Sequence, residues 1–144
     1  MRISTKGRYA VRMMLDLATN DSGEPIRLKD VARRQGISEK YLEQIISILN
    51  KAGFVRSIRG PAGGYNLSKA PAAYTVGMIL RLTEGSLSPV ECADTDNVIC
   101  AREDNCAARH LWQILNDAIN NVVDHVTLED LLNWQNTQGN DYNI

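Results

Sequence analysis

The sequence predicts a mainly α-helical chain that carries one small β-hairpin. Three observations predict it. Apolar residues recur every three to four positions in several segments, and two short extended runs flank a turn between Phe54 and Ser68. The apolar share of 44% is enough for a packed core. At 144 residues and 16.0 kDa, the chain is the size of one domain with an appended element.

A first helix is expected from about residue 5 to 20, within "STKGRYAVRMMLDLATN". Tyr9, Ala10, Met13, Met14, Leu17 and Ala18 fall on one face at helical spacing, with Arg8 and Arg12 on another. The two methionines read as core filler, and "DSGEP" ends the element as a turn cluster. In "LKDVARRQGISEKYLEQIISILNKAGF", Val31 and Ala32 begin a short helix that stops at Gly36, a residue suited to a left-handed C-terminal cap. Ser38 then caps a longer helix with Leu42, Ile45, Ile46 and Leu49 as its apolar face and Gly53 at its close. A short helix, a glycine-containing turn and a second amphipathic helix make a helix-turn-helix.

"FVRSI" and "YNLS" read as strands joined by the turn "RGPAGG". A hairpin directly after the second helix is the wing of a winged helix-turn-helix. Arg59 and Gly60 sit at its tip, and Gly63 and Gly64 lead into Tyr65. A slim basic loop of this kind suits the minor groove, beside a helix in the major groove. Gly63 and Gly64 are also expected to satisfy positive φ angles in the turn.

After Pro71, "YTVGMILRLTEG" reads as a helix opening near Thr75. From Ala107, a long helix places Leu111, Leu115, Ala118, Val122 and Val126 along one stripe, with Trp112 and Ile119 beside it. Thr127 and Asp130 stand in capping-box positions of a last short helix. The stripe is more than a small winged domain covers, so it reads as the interface of a homodimer, the form in which DNA half-sites are commonly read. The expected organisation is a DNA-binding domain over 1–85 and a cysteine-containing loop over 86–106. A dimerisation helix with a short terminal helix follows over 107–134, and a flexible tail over 135–144.

The net charge of −1 hides an asymmetry: residues 1–70 hold 13 Lys and Arg against 6 Asp and Glu, and residues 71–144 hold 3 against 11. The basic half is the footprint of a polyanion-binding surface. On the second helix of the helix-turn-helix, Ser38, Lys40, Tyr41, Glu43 and Gln44 are the candidate DNA contacts, with an inward-packed Tyr41 as the alternative. Glu43 suits a cytosine amino group or rejection of wrong sequences. Arg59 is assigned to a narrow A·T-rich minor groove, with a phosphate contact as the competing role. Lys6, Arg8 and Arg33 are assigned to phosphates, and Arg2 is a further DNA-binding candidate.

No run approaches the ~18 apolar residues of a membrane span, and the basic N-terminus does not read as a signal peptide. The expected location is therefore the cytoplasm, at the nucleoid. No nucleophile–base pair, phosphate loop or close Cys-x-x-Cys pair is evident, which argues against an enzyme. All three cysteines, Cys92, Cys100 and Cys106, crowd into "CADTDNVICAREDNC". In a reducing compartment such a cluster points to metal or redox chemistry. An iron–sulfur cluster, a zinc site and a thiol switch all remain open on spacing alone.

"MRISTKGRYAVRMMLDLA", "SEKYLEQIISILNKAGFVRSIRGPAGGY" and "EGSLSPVEC" resemble the IscR-like bacterial transcription regulators, whose relatives include NsrR and CymR. The resemblance runs from residue 1 to about 134, and the wing signature at Arg59-Gly60 and Gly63-Gly64-Tyr65 is its most specific part. It implies a dimeric winged-helix repressor controlled by a 2Fe–2S cluster on Cys92, Cys100 and Cys106, acting on iron–sulfur biogenesis genes. Cluster assembly proteins are then the expected donors. A thiol-redox, nitric oxide or sulfur-metabolism responsive regulator is the alternative within the family; a zinc-stabilised DNA-binding protein or a thiol oxidoreductase stands last. Two departures bear on the site. Seven residues separate Cys92 from Cys100, more than the family's usual spacing, and Arg109 stands where the family places a histidine ligand. His110 follows one position later as the candidate fourth ligand, against a loop carboxylate (Asp94, Asp96 or Asp104), a group from the partner subunit or an exogenous thiol.

Overall fold

The computed structural model describes residues 2–94 and 105–141. Among these, six α-helices and one antiparallel hairpin follow in the order α1 (Thr5–Thr19), α2 (Leu28–Gln35), α3 (Glu39–Lys51), β1 (Val55–Ile58), β2 (Gly64–Leu67), α4 (Val76–Glu84), α5 (Ala107–Val123) and α6 (Leu128–Asp141). Short 3-10 turns at Pro71–Ala73 and Glu91–Ala93 fill two connections. This is the fold class that the sequence predicts, mainly α with a hairpin wing.

Side-chain caps set where the helices start. The Ser4 hydroxyl accepts the Gly7 N–H at 3.1 Å and opens α1, and the Ser38 hydroxyl accepts the Tyr41 N–H at 3.1 Å and opens α3. Between them α2 ends at Gly36, left-handed at φ 65°. Ala10, Met13, Met14 and Leu17 of α1 meet Leu42, Ile45, Ile46 and Leu49 of α3 in one core, with the methionines buried as filler.

The α1–α2 corner is polar, with one buried carboxylate at its centre. The Asp16 carboxylate, 3% exposed, accepts from Arg34 Nε at 3.1 Å, Arg34 Nη2 at 2.8 Å and Gln35 Nε2 at 2.9 Å. That hydrogen bond to Asp16 outweighs partial desolvation and raises the Arg34 pKa, so the guanidinium stays charged. Arg12 closes the same corner, donating to Gln35 O at 2.6 Å with its guanidinium 5.3 Å from the Tyr9 ring centre.

The wing pairs Val55 with Leu67 and Ile58 with Gly64. Ile26 adds a bridge on the other edge, its N–H donating to Tyr65 O at 2.9 Å and its carbonyl accepting from Tyr65 N at 2.8 Å. The expectation that Gly63 and Gly64 supply positive φ angles is corrected here: in this turn it is Gly60 that has one, at 110°. The other two glycines are demanded by close backbone approach. A Cβ on Gly64 would lie 2.4 Å from Ile26 O, and one on Gly63 would lie 2.1 Å from Ile58 O. At the wing's base, buried Tyr74 donates its hydroxyl to Phe54 O at 2.8 Å and accepts the Lys69 N–H at 3.0 Å.

Helix α5 leads away from this core and α6 returns to it. Thr75 and Thr127 form a bridge, and Leu128 is fully buried among the core residues of α1 and α3. The expected capping box is made: Thr127 N–H reaches Asp130 Oδ2 at 2.9 Å, and Asp130 N–H reaches Thr127 Oγ1 at 3.1 Å. The last helix does not stop near residue 134, as the sequence suggested, but continues to Asp141. A reason lies in α1: Gln135 Nε2 donates to Thr19 Oγ1 at 3.0 Å and anchors a segment that shows little apolar signal. No helix among the described residues is long and apolar enough to cross a membrane.

Candidate DNA interface and cysteine site

Because α3 turns Leu42, Ile45, Ile46 and Leu49 inward, Lys40, Glu43 and Gln44 stand exposed on its other face, with Ser38 exposed at the N-cap. Tyr41 is half-buried, its ring edge-on to Tyr9 at 5.7 Å, so it joins the start of α3 to α1. Thr5, Tyr9, Gly36, Ile37, Ser38 and Tyr41 line an open groove of about 510 Å³. The N-termini of α1 and α3 both border it, each capped by a serine hydroxyl that accepts a backbone N–H.

The basic candidates divide by environment. Arg2 is exposed, Lys6 half-buried, and Arg8 exposed with its guanidinium held by Thr5 Oγ1 at 3.1 Å. Arg33 is 74% exposed and lies 3.6 Å from Asp30, which offsets part of its charge. Arg59 and Gly60 are exposed at the wing tip, whereas Gly63, Gly64 and Tyr65 are half-buried at its return. One residue that the sequence did not single out belongs with them. Arg27, the N-cap position of α2, donates from Nη2 to Pro61 O at 2.9 Å and ties the wing turn to the helix-turn-helix. Nothing local in the sequence signals a contact across 34 positions.

Two of the three cysteines fall among the described residues, both half-buried. Cys92 lies in the Glu91–Ala93 turn, and Cys106 is the N-cap of α5, its Sγ accepting the Arg109 N–H at 3.4 Å. The Arg109 guanidinium donates from Nε to Cys92 O at 3.2 Å, and Asn116 Nδ2 reaches Ala93 O at 3.4 Å. Helix α5 thus holds the Cys92 turn against its own N-terminal half. His110 is exposed, with its backbone N–H 3.4 Å from Cys106 O, and Asp94 is half-buried. Cys100, Asp96 and Asp104 lie outside the described residues. Among the described residues no group of three His, Cys, Asp or Glu is assembled for a metal. The two thiols that are described do fit an iron–sulfur group in donor chemistry, since thiolates are its usual ligands and Cys106 Sγ already takes a backbone N–H.

Helix α4 connects these parts. Arg81 donates to both Asp124 oxygens, at 2.5 and 3.1 Å, and to Asn120 Oδ1 at 2.9 Å, fixing α4 to the far end of α5. The same hydrogen bond holds the Asp124 carboxyl below its usual range. On its other side α5 leaves Leu111, Ile114, Leu115 and Val122 exposed, and no residue of the helix is buried. Ile114 was absent from the stripe read in the sequence, while Trp112 and Ile119 are half-buried beside it.

A family model described as Rrf2, an iron-dependent transcriptional regulator, matches residues 3–134. The chain is 44% identical over 134 residues to the HTH-type transcriptional regulator CymR of Bacillus subtilis, covering 93% of this chain and 91% of that one. The solved structure of that regulator, described as the global cysteine regulator of B. subtilis, superposes with a TM-score of 0.81 over 93% of this chain and 98% of its own. The regulator IscR of Pectobacterium carotovorum is 41% identical over 133 residues, 92% of this chain and 80% of that one. The structure of T. potens IscR gives a TM-score of 0.74 at 40% identity, over 92% of this chain and 87% of that one. These relatives are transcriptional regulators and not enzymes.

Proposed function

The chain belongs to the Rrf2 family of transcriptional regulators, and on that premise we propose a homodimeric repressor whose grip on operator DNA is controlled by a 2Fe–2S cluster. In this reading residues 1–85 bind DNA, 86–106 hold the cluster, and α5 with its return by α6 joins two copies. The exposed row Leu111, Ile114, Leu115 and Val122 supports a second copy of the chain as the partner, because a row of that length facing water is costly for a lone protomer. Base edges fall to Lys40, Glu43 and Gln44, phosphates to Arg2, Lys6, Arg8, Arg33 and Ser38, and the minor groove to Arg59. Tyr41 and the wing residues Gly60, Gly63, Gly64 and Tyr65 set the shape that presents them.

One observation carries the cofactor reading. Arg109 touches both described cysteine segments, through its guanidinium on Cys92 O and its N–H on Cys106 Sγ, so the two segments converge on the start of α5. Cys92, Cys100 and Cys106 would hold the cluster. His110 is assigned the fourth position, since Arg109 has no lone pair to donate. When bound, the cluster supplies a redox-active, degradable group whose presence reports iron and oxidant supply. Target genes for iron–sulfur biogenesis, cluster assembly proteins as donors and a cytoplasmic place at the nucleoid complete this reading.

The likeness to CymR at 44% identity favours a second reading, in which the same thiols respond directly to oxidants or sulfur metabolism. Anaerobic purification with iron and inorganic sulfide analysis separates the two. The cluster reading expects about two of each per chain; a colourless protein that takes up neither on reconstitution overturns it and leaves the thiol reading.

A further inference from the structure

The N-terminus of α1 already holds an anion. Glu84, the last residue of α4, accepts at Oε1 from the Ser4 N–H at 3.0 Å and from the Ser4 hydroxyl at 2.5 Å, across 80 positions. The same hydroxyl accepts the Gly7 N–H, so one side chain joins the cap of α1 to the carboxylate. Gly7 makes the room. A Cβ there would lie 2.2 Å from Glu84 Oε1 and 3.1 Å from its Cδ. Alanine is the better helix former at such a position, and what glycine provides is the approach of this carboxylate, which the helix dipole favours.

The surroundings give this contact a consequence. Arg2, Lys6 and Arg8 flank Ser4 and are the basic groups at the start of α1. On its other side Glu84 is followed by Gly85, with φ 76° and ψ −123°, where α4 ends and the chain departs toward Cys92. One turn earlier Arg81 is tied to Asp124 and Asn120 on α5. A single nine-residue helix therefore touches the basic start of α1, the departure of the cysteine segment and the long apolar helix.

We propose that Glu84 is a positioning residue for DNA binding: by holding Ser4, it sets the pose in which Arg2, Lys6 and Arg8 meet the DNA backbone. The inference rests on the reading that these three residues face DNA. An acid beside the phosphate path would weaken binding if it acted through charge alone, so the positional and the charge effects have opposite signs.

Operator affinity of the full-length chain, measured across a salt series, tests it with four variants. E84A removes the contact, and G7A displaces the carboxylate while improving the helix. E84Q keeps an oxygen for Ser4 without the charge, and K6A/R8A removes the basic groups themselves. The positional role predicts that E84A and G7A weaken binding roughly tenfold and lower the salt slope by about one phosphate contact. E84Q should stay within about twofold, and G7A should melt no lower than the wild type. Tighter binding by both E84A and E84Q would show a charge effect only and overturn the proposal. So would unchanged affinity and slope in E84A and G7A while K6A/R8A binds weakly. If K6A/R8A itself alters neither, the start of α1 does not meet DNA, and that reading falls together with the proposal.

Discussion

Arg27 Nη2 donates to the carbonyl of Pro61 at 2.9 Å and joins the start of α2 to the turn of the wing. With the Ile26–Tyr65 bridge beside it, this bond makes the wing part of the helix-turn-helix and not a free loop. An exposed bond of this kind contributes about 0.5–1.5 kcal/mol. In R27A the amides of Arg59, Gly60, Ala62 and Gly63 should exchange faster, operator affinity should fall about three- to tenfold, and the melting temperature should drop by no more than a few degrees. Unchanged exchange would mean that the glycine geometry alone fixes the turn.

Arg59 at the exposed tip should lose about 1–3 kcal/mol of binding on truncation to alanine. The loss is expected to be larger on operators with A·T-rich flanks, where a narrow minor groove concentrates negative potential. Uniform loss across A·T-rich and G·C-rich flanks would reassign Arg59 to a phosphate. Glu43 is tested in parallel by E43A on specific and scrambled DNA, with reduced discrimination as the expected result.

Much of this architecture is legible in the sequence because it is local. The periodic faces of α1 and α3, the caps at Ser38, Gly36 and Thr127, and the hairpin each depend on residues within a few positions. What escaped is long-range. The Ile26 bridge, the Arg27–Pro61 bond and the Ser4–Glu84 contact join segments 34 to 80 positions apart. The positive φ angles expected at Gly63 and Gly64 give way to backbone crowding from Ile26 and Ile58, which is invisible in one dimension. The end of α6 was missed because Gln135 gains its anchor from Thr19 and not from any apolar repeat. Around the cysteines, the residue types and their spacing are legible in the sequence, but not that Arg109 turns back to Cys92.

Asp16 is the buried anchor of the α1–α2 corner. D16A leaves Arg34 and Gln35 without their acceptor, and Arg34, about one third exposed, can swing to water. The expected loss of stability is about 2–3 kcal/mol, read as a lower midpoint in urea at an unchanged slope. A loss below about 0.5 kcal/mol would show that the corner is held by apolar packing.

Arg81 and Asp124 give a pH signature. Folding lowers the Asp124 pKa from its ordinary 3.8, chiefly through the hydrogen bond from Arg81. The pair's stabilisation is therefore fully present well above that value and is lost as pH falls through it and on through the lower folded value. Both side chains are near 40% exposed, so about 0.2–1 kcal/mol is expected in a double-mutant cycle with R81A and D124N at neutral pH. That coupling should shrink below about pH 4. A coupling that grew on acidification would contradict the assignment.

The central claim is that the state of the cysteine segment sets the affinity for DNA. Its most direct test is operator binding by fluorescence anisotropy under anaerobic conditions, comparing cluster-loaded protein, the same preparation stripped by chelation, and C92S. Loaded and stripped protein should differ by about tenfold or more, a coupling of at least ~1.4 kcal/mol, and C92S should bind like the stripped form. Equal affinity in all three states would contradict it.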